Sequence, residues 1–192
     1  MLPDRYNRLG VDRPLRFVSY IESTGTQYIN TGVAPDFAGG DEIEIKYTLG
    51  AYTGYAPCVF GSRASGVRNG VYVLAASGTV ADGDGTYSFI VPNSGTVTMR
   101  INDSTITANG NATVMPRRVT TALPMFLFAL NNYGTGTYGI YNGLRISDWK
   151  YYHNGELAQH LVPALLQGVP GMWDMVSRTF LTNAGTGTFN YA

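Results

Sequence analysis

The amino-acid sequence predicts an all-β fold, a sandwich or barrel of short antiparallel strands. Three observations carry this. Apolar and polar residues alternate with a period of two in segments such as Asp41-Glu42-Ile43-Glu44-Ile45-Lys46-Tyr47. Turn signals, among them Asp82-Gly83-Asp84-Gly85, Asn93-Ser94-Gly95 and Asn109-Gly110, recur at roughly the 8–12-residue spacing of such folds. The one helix-like window, Gly155 to Leu166, is interrupted by Pro163. Composition agrees: 24 glycines supply the positive φ that tight turns need, and 14 tyrosines with many threonines suit pleated, half-buried surfaces.

Residues 1–14 show no period and concentrate Arg5, Arg8 and Arg13 with Tyr6, Pro3 and Pro14. They are expected to form an arm that docks on its own domain or on a neighbouring subunit. Residues 15–192 are expected to form the domain. Phe17 to Ile21 reads as a strand, Ser23-Thr24-Gly25 as a turn and Gln27 to Thr31 as a second strand. In Asp41 to Tyr47, residues Ile43, Ile45 and Tyr47 face the core while Glu42, Glu44 and Lys46 face solvent. Pro57 to Ser62 and Gly70 to Ala76 follow, then the Asp82–Gly85 hairpin tip. Tyr87 to Val91, Thr96 to Ile101, Thr105 to Ala108 and Ala112 to Val119 are further strands. Met125 to Leu130 reads as a single, fully apolar strand in the middle of the sandwich. Tyr138 to Tyr152 is one long strand or two, with Gly143 at a bulge. The next strand is expected to end near Pro163 and give way to an irregular loop.

The length of 192 residues suits one domain with a core that needs neither disulfide nor metal. The single cysteine, Cys58, sits in an apolar run with no cationic neighbour and reads as a buried structural thiol. Thirteen basic residues balance thirteen acidic ones without a basic stripe, which argues against nucleic acid as a partner. Arg117-Arg118 reads as a solvated turn. No apolar run reaches the ~20 residues of a membrane span, so no membrane insertion is expected. The first residues lack the apolar core of a signal peptide, so synthesis in a cytoplasm without export by that route is expected.

Two segments carry a resemblance. The first is Tyr20-Ile21-Glu22-Ser23-Thr24-Gly25-Thr26-Gln27-Tyr28-Ile29-Asn30-Thr31-Gly32. The second starts with Leu144-Arg145-Ile146-Ser147-Asp148-Trp149-Lys150-Tyr151-Tyr152-His153-Asn154-Gly155-Glu156-Leu157. It ends in Gly171-Met172-Trp173-Asp174 and Asn183-Ala184-Gly185-Thr186-Gly187-Thr188-Phe189. Together they resemble the opening and close of concanavalin A-like (laminin G-like) jelly-roll modules of bacteriophage and prophage structural proteins. Asn30 stands where aspartate is common there. Phe60-Gly61-Ser62-Arg63 and Leu127 to Asn132 resemble internal strands of the same family, and the likeness covers about Leu15 to Phe189.

The resemblance implies an antiparallel jelly-roll β-sandwich whose first and last strands lie together, bringing Tyr28 and Phe189 to the same edge. It also implies a non-enzymatic virion protein: a capsid decoration, head fibre or tail component. The expected partners are other virion proteins, copies of itself in a symmetric homo-oligomer and host cell-surface carbohydrate. The alternative is a glycan-binding lectin module of a bacterial or prophage surface protein.

A glycoside hydrolase is the less favoured reading. The superfamily includes β-glucanases, and a retaining enzyme needs two carboxylates about 5.5 Å apart. Glu42 and Glu44 share a strand face, but Lys46 stands where a further acid would be expected. No other residues suggest catalysis, and no cofactor or metal is expected. Asp82-Gly83-Asp84-Gly85 has too few oxygen ligands for calcium, and His153 with His160 lacks a third zinc ligand. Two loops have the aromatic and amide content of a sugar-binding surface: Tyr52 with Tyr55, and Asn131, Asn132 and Tyr133 with Tyr138. Arg5, Tyr6, Arg8 and Arg13 are the candidate assembly contacts of the arm.

Overall fold

The computed structural model describes residues 15–50, 58–64, 67–72 (as backbone), 95–114, 121–140 and 142–192. Expectations for residues 1–14, Tyr52 and Tyr55, the Asp82–Gly85 tip, Tyr87 to Val91 and Arg117-Arg118 fall outside these residues. In chain order the strands are β1 (Arg16–Phe17), β2 (Ile21–Thr24), β3 (Ile29–Asn30), β4 (Glu42–Leu49), β5 (Cys58–Ala64), β6 (Val67–Tyr72), β7 (Gly95–Ile101), β8 (Thr105–Ala108) and β9 (Asn111–Val114). They continue with β10 (Phe126–Leu127), β11 (Leu130–Asn132), β12 (Gly136–Tyr138), β13 (Asn142–His153), β14 (Glu156–Leu166), β15 (Val169–Asp174), β16 (Phe180–Thr182) and β17 (Asn190–Tyr191). One 3-10 turn, Phe37–Gly39, is the only helical element among the described residues.

The strands build two sheets. An 11-stranded sheet runs β16-β15-β14-β13-β4-β7-β8-β9, with β1 on β14, β2 on β13 and β17 on β2. A 6-stranded sheet runs β12-β11-β5-β10-β3, with β6 on β5. Among the described residues strand pairing is antiparallel except where β11 runs parallel to β5, and an isolated parallel bridge joins Cys58 to Ile140. The apolar faces of the two sheets meet in one core. Phe60 of the smaller sheet packs edge-on against Trp149 of the larger, with ring centroids 5.3 Å apart. Ile43, Ile45, Tyr47, Val97, Met99, Ile146, Leu161 and Met172 fill the space around them. Each such aliphatic side chain contributes roughly 1.5–3 kcal/mol through its burial.

The alternation read in β4 is the alternation seen: Ile43, Ile45 and Tyr47 are buried, and the intervening residues are not. Gly143 does sit at a register shift, between Asn142 and Arg145 on β13. Its φ of 81° is one that L side chains rarely adopt.

Three element readings are corrected. Met125 to Leu130 is not one strand. Phe128 has φ 69°, which breaks the run into β10, antiparallel to β5, and β11, parallel to it. Phe17 to Ile21 is likewise divided, because Val18 turns to the Pro163 carbonyl while Ser19 and Tyr20 both donate to the Ala192 carbonyl. The strand at Pro163 does not end there. It runs on to Leu166 and pairs with β15, where a loop was expected. Proline is tolerated because the Pro163 carbonyl faces β1, accepting from Val18 N at 3.0 Å. The missing N–H therefore falls on the same edge, in the gap between the last β13 partner, Leu161, and the first β1 partner, Ala164.

The opening and closing segments of the domain lock together. β17 pairs with β2 through Asn190–Glu22 and Tyr191–Ile21. Ala184 N donates to Tyr28 O at 2.9 Å and Thr186 N to Thr26 O at 3.1 Å. Asn183 Oδ1 accepts from Tyr28 N at 3.2 Å and from Gly185 N at 2.8 Å. The buried Gln27 amide closes the clasp: Nε2 donates to Thr186 O at 3.0 Å, and Oε1 accepts from Thr24 N at 2.7 Å. Below it, the Phe189 ring is buried 4.9 Å from that of Phe128. Gly185 and Gly187 are required here, since a Cβ on either would collide with Thr26 or with the Gln27 amide.

Candidate functional site

The described sugar-binding candidates sit on the hairpin formed by β11 and β12. Asn131 and Asn132 are consecutive on a strand, so they face opposite ways. Asn131 turns inward with 1% of its surface exposed. Its Nδ2 donates to Pro124 O at 2.8 Å, and its Oδ1 accepts from Gly134 N at 3.1 Å. It braces the loop from beneath and is not a contact residue, which corrects that part of the sequence reading. Ser62, its register neighbour on β5, is buried beside it and bonded to Thr121.

Asn132 faces the other way, and β-register places a transverse row with it. Arg63 of β5 and Gly136 of β12 are its direct partners, and Arg68 of β6 is the partner of Arg63. Four positions on adjacent strands thus cross one face of the smaller sheet, at roughly 4.8 Å per strand. Nothing stands within 4 Å of where a Gly136 Cβ would lie, so the row opens into free space at that end. Tyr138, 43% exposed, continues the Gly136 side of the same face.

Tyr133 occupies the turn with φ 57°, followed by Gly134 with φ 73°. Its N–H bonds Arg63 O at 2.8 Å. The Arg63 guanidinium carbon lies 5.0 Å from the Tyr133 ring centroid, which is a cation–π contact. Tyr133 is 45% exposed, so one face of the ring is covered by Arg63 while the side chain remains open to solvent. Asn132 Oδ1 is buried and has no hydrogen-bond partner among the described residues. The structure therefore brings together Asn132, Tyr133 and Tyr138, removes Asn131, and adds Arg63 and Gly136.

The acidic candidates lie on the larger sheet. Glu42 pairs with Arg100 at 2.6 Å, and Glu44 with Lys150 at 2.5 Å. The hydrogen bond from Lys150 to Glu44 holds the ammonium pKa above its ordinary value, as the bond to Glu42 does for Arg100. Both carboxylates are thus neutralised by neighbours across the sheet.

The two histidines serve different aspartates. His160 Nε2 meets Asp148 Oδ1 at 2.7 Å, and His153 Nδ1 meets Asp41 Oδ1 at 2.7 Å. Asp41 is buried and also accepts from Tyr151 OH at 2.6 Å and Asp36 N at 2.7 Å. Burial, then the bond to Asp41, pushes the Tyr151 phenol above its usual pKa. Among the described residues no group of three or more His, Cys, Asp or Glu side chains could hold a metal ion. Cys58 is buried, and desolvation raises its thiol pKa well above the usual value.

No helix of the described residues is long and apolar enough to cross a membrane. No family model matches the chain, and no curated protein matches it.

Proposed function

We propose that the chain is a non-enzymatic bacteriophage virion component, a capsid decoration, head fibre or tail protein. In this reading its two sheets form a jelly roll of the concanavalin A-like kind, and its Tyr133 ledge touches host-surface glycans. The observation that carries the reading is the clasp. The segments on which the family resemblance rests, Tyr20 to Gly32 and Asn183 to Phe189, are bonded to each other across more than 150 residues of chain. The polar residues of both act as structural partners there, as expected of a scaffold. Glycan contact is supported by an exposed aromatic beside an amide and a guanidinium, the side-chain types that fix sugar rings and hydroxyls. A non-enzymatic role is supported by the pairing of Glu42 and Glu44 with cations.

The partners in this proposal are other virion proteins, copies of the chain and host carbohydrate. Residues 1–14, through Arg5, Tyr6, Arg8 and Arg13, supply an assembly contact.

Three measurements test it. Size-exclusion chromatography with light scattering is expected to show a symmetric oligomer that deletion of residues 1–14 weakens; a clean full-length monomer would sink the assembly part. A glycan array is expected to show binding that Tyr133→Ala removes. A hydrolysis screen on β-glucans is expected to show no turnover; turnover lost in Glu44→Gln would reverse the non-enzymatic assignment.

A further inference from the structure

We infer that the ledge selects glycans bearing carboxylates, of the uronic acid class, with Arg63 as the residue that recognises the acid; this rests on the glycan reading above and narrows it. The molecule holds its own template for such a site. Arg145 stacks over Tyr20 at 4.6 Å, and its Nε–H donates to Glu22 Oε2 at 2.5 Å. Tyrosine face, guanidinium and carboxylate form a complete trio there. Arg63 over Tyr133 repeats the first two members at 5.0 Å. Among the described residues no carboxylate pairs with Arg63, so none of them supplies the third member.

Chemistry explains why a carboxylate fits. A guanidinium stacked on a ring has its π face covered, while its N–H edge stays available for a planar, bidentate acceptor. A sugar carboxylate is such an acceptor, and its ring hydroxyls suit the neighbouring amide and phenols of Asn132, Tyr133 and Tyr138. Along the row, the open space over Gly136 leaves room for a chain of sugars to continue past the acid-binding position.

Calorimetric titration of the full chain tests this with three probes: an oligogalacturonide, the same oligosaccharide with its carboxylates methyl-esterified, and dextran sulfate. The acid form is expected to bind about tenfold or more tightly than the ester at low salt, in line with a charge-assisted bidentate pair. The advantage is expected to shrink as salt is raised. Arg63→Gln is expected to abolish the difference between acid and ester, and Arg63→Lys to restore only part of it. Unchanged unfolding midpoints show that both variants are folded. Equal binding of acid and ester, lost in Tyr133→Ala but untouched by Arg63→Gln, overturns carboxylate selection and leaves the glycan reading standing. Dextran sulfate binding as tightly as the oligogalacturonide overturns it in favour of plain attraction of anions. Binding to no array glycan and to none of the three probes overturns both.

Discussion

Gly185 approaches Thr26 so closely that a methyl group on the glycine would overlap the Thr26 carbonyl oxygen. That same oxygen accepts the Thr186 N–H at 3.1 Å, so the overlap and the bond compete for one place. Gly185→Ala is expected to lower the unfolding free energy by about 2–3 kcal/mol, since backbone cannot yield as a side chain can. Gly187→Ala meets side-chain atoms, the Gln27 amide and Thr26 Oγ1, at a φ of 71°, and is expected to cost about 1–2 kcal/mol. Urea denaturation of the two variants beside the wild type gives the order; equal midpoints for all three would dismiss the clasp as a source of stability.

Gln159 joins the core to the opening segment. Its Oε1 accepts from the indole N–H of fully buried Trp149 at 3.2 Å, and its Nε2 donates to Thr31 O at 2.9 Å. Gln159→Leu keeps the volume but strands both partners, an expected loss of about 2–4 kcal/mol. Denaturation followed by tryptophan emission would measure it, and a change under half a kcal/mol would show that water replaces the amide.

Cys58 gives the fold an alkaline signature. Burial raises its thiol pKa well above the 9.0 of an ordinary cysteine, outweighing the lowering effect of the Phe60 backbone. Below that pH both folded and unfolded chains carry the proton. Above it the unfolded chain loses the proton first and gains by ionising, so stability falls as pH rises. The wild type should therefore lose stability relative to Cys58→Ala as the pH rises above 9.0. The native thiol should also resist a disulfide reagent at pH 8 that labels it at once in denaturant.

The ion pair of Glu44 with Lys150 joins side chains that are each about a quarter exposed. A double-mutant cycle on Glu44→Gln and Lys150→Met is expected to return a coupling below about 1 kcal/mol that shrinks further in salt. A coupling of several kcal/mol would imply a far drier environment than this face provides.

Local pattern made β4 legible, because one face is buried along its whole length and the period of two leaves little freedom. It did not make the division at Phe128 legible. A left-handed phenylalanine inside an apolar run carries no local signature, and the reversal is imposed by β5 on one side and β12 on the other. Pro163 misled for a similar reason: the gap that accommodates it is made by two other strands. Composition singled out Tyr133, Tyr138 and Asn132 as candidates, and the structure places them on one hairpin. Alternation alone could have rejected Asn131, since Asn132 is its neighbour on the strand. Arg63 was out of reach, as its place beside Tyr133 depends on parallel pairing between β5 and β11, distant in sequence.

The clasp also orders events at the ribosome. β2 and the Thr26 to Tyr28 stretch are made more than 150 residues before the segments that close on them. While the rest of the domain is being synthesised, β2 is denied its β17 partner, and Thr26 and Tyr28 are denied Thr186 and Ala184. Closure of this edge must draw together widely separated stretches of chain, which makes it slow. Until it closes, an open strand edge on β2 is presented to other copies nearby, so the stage before the clasp forms is the one most exposed to aggregation.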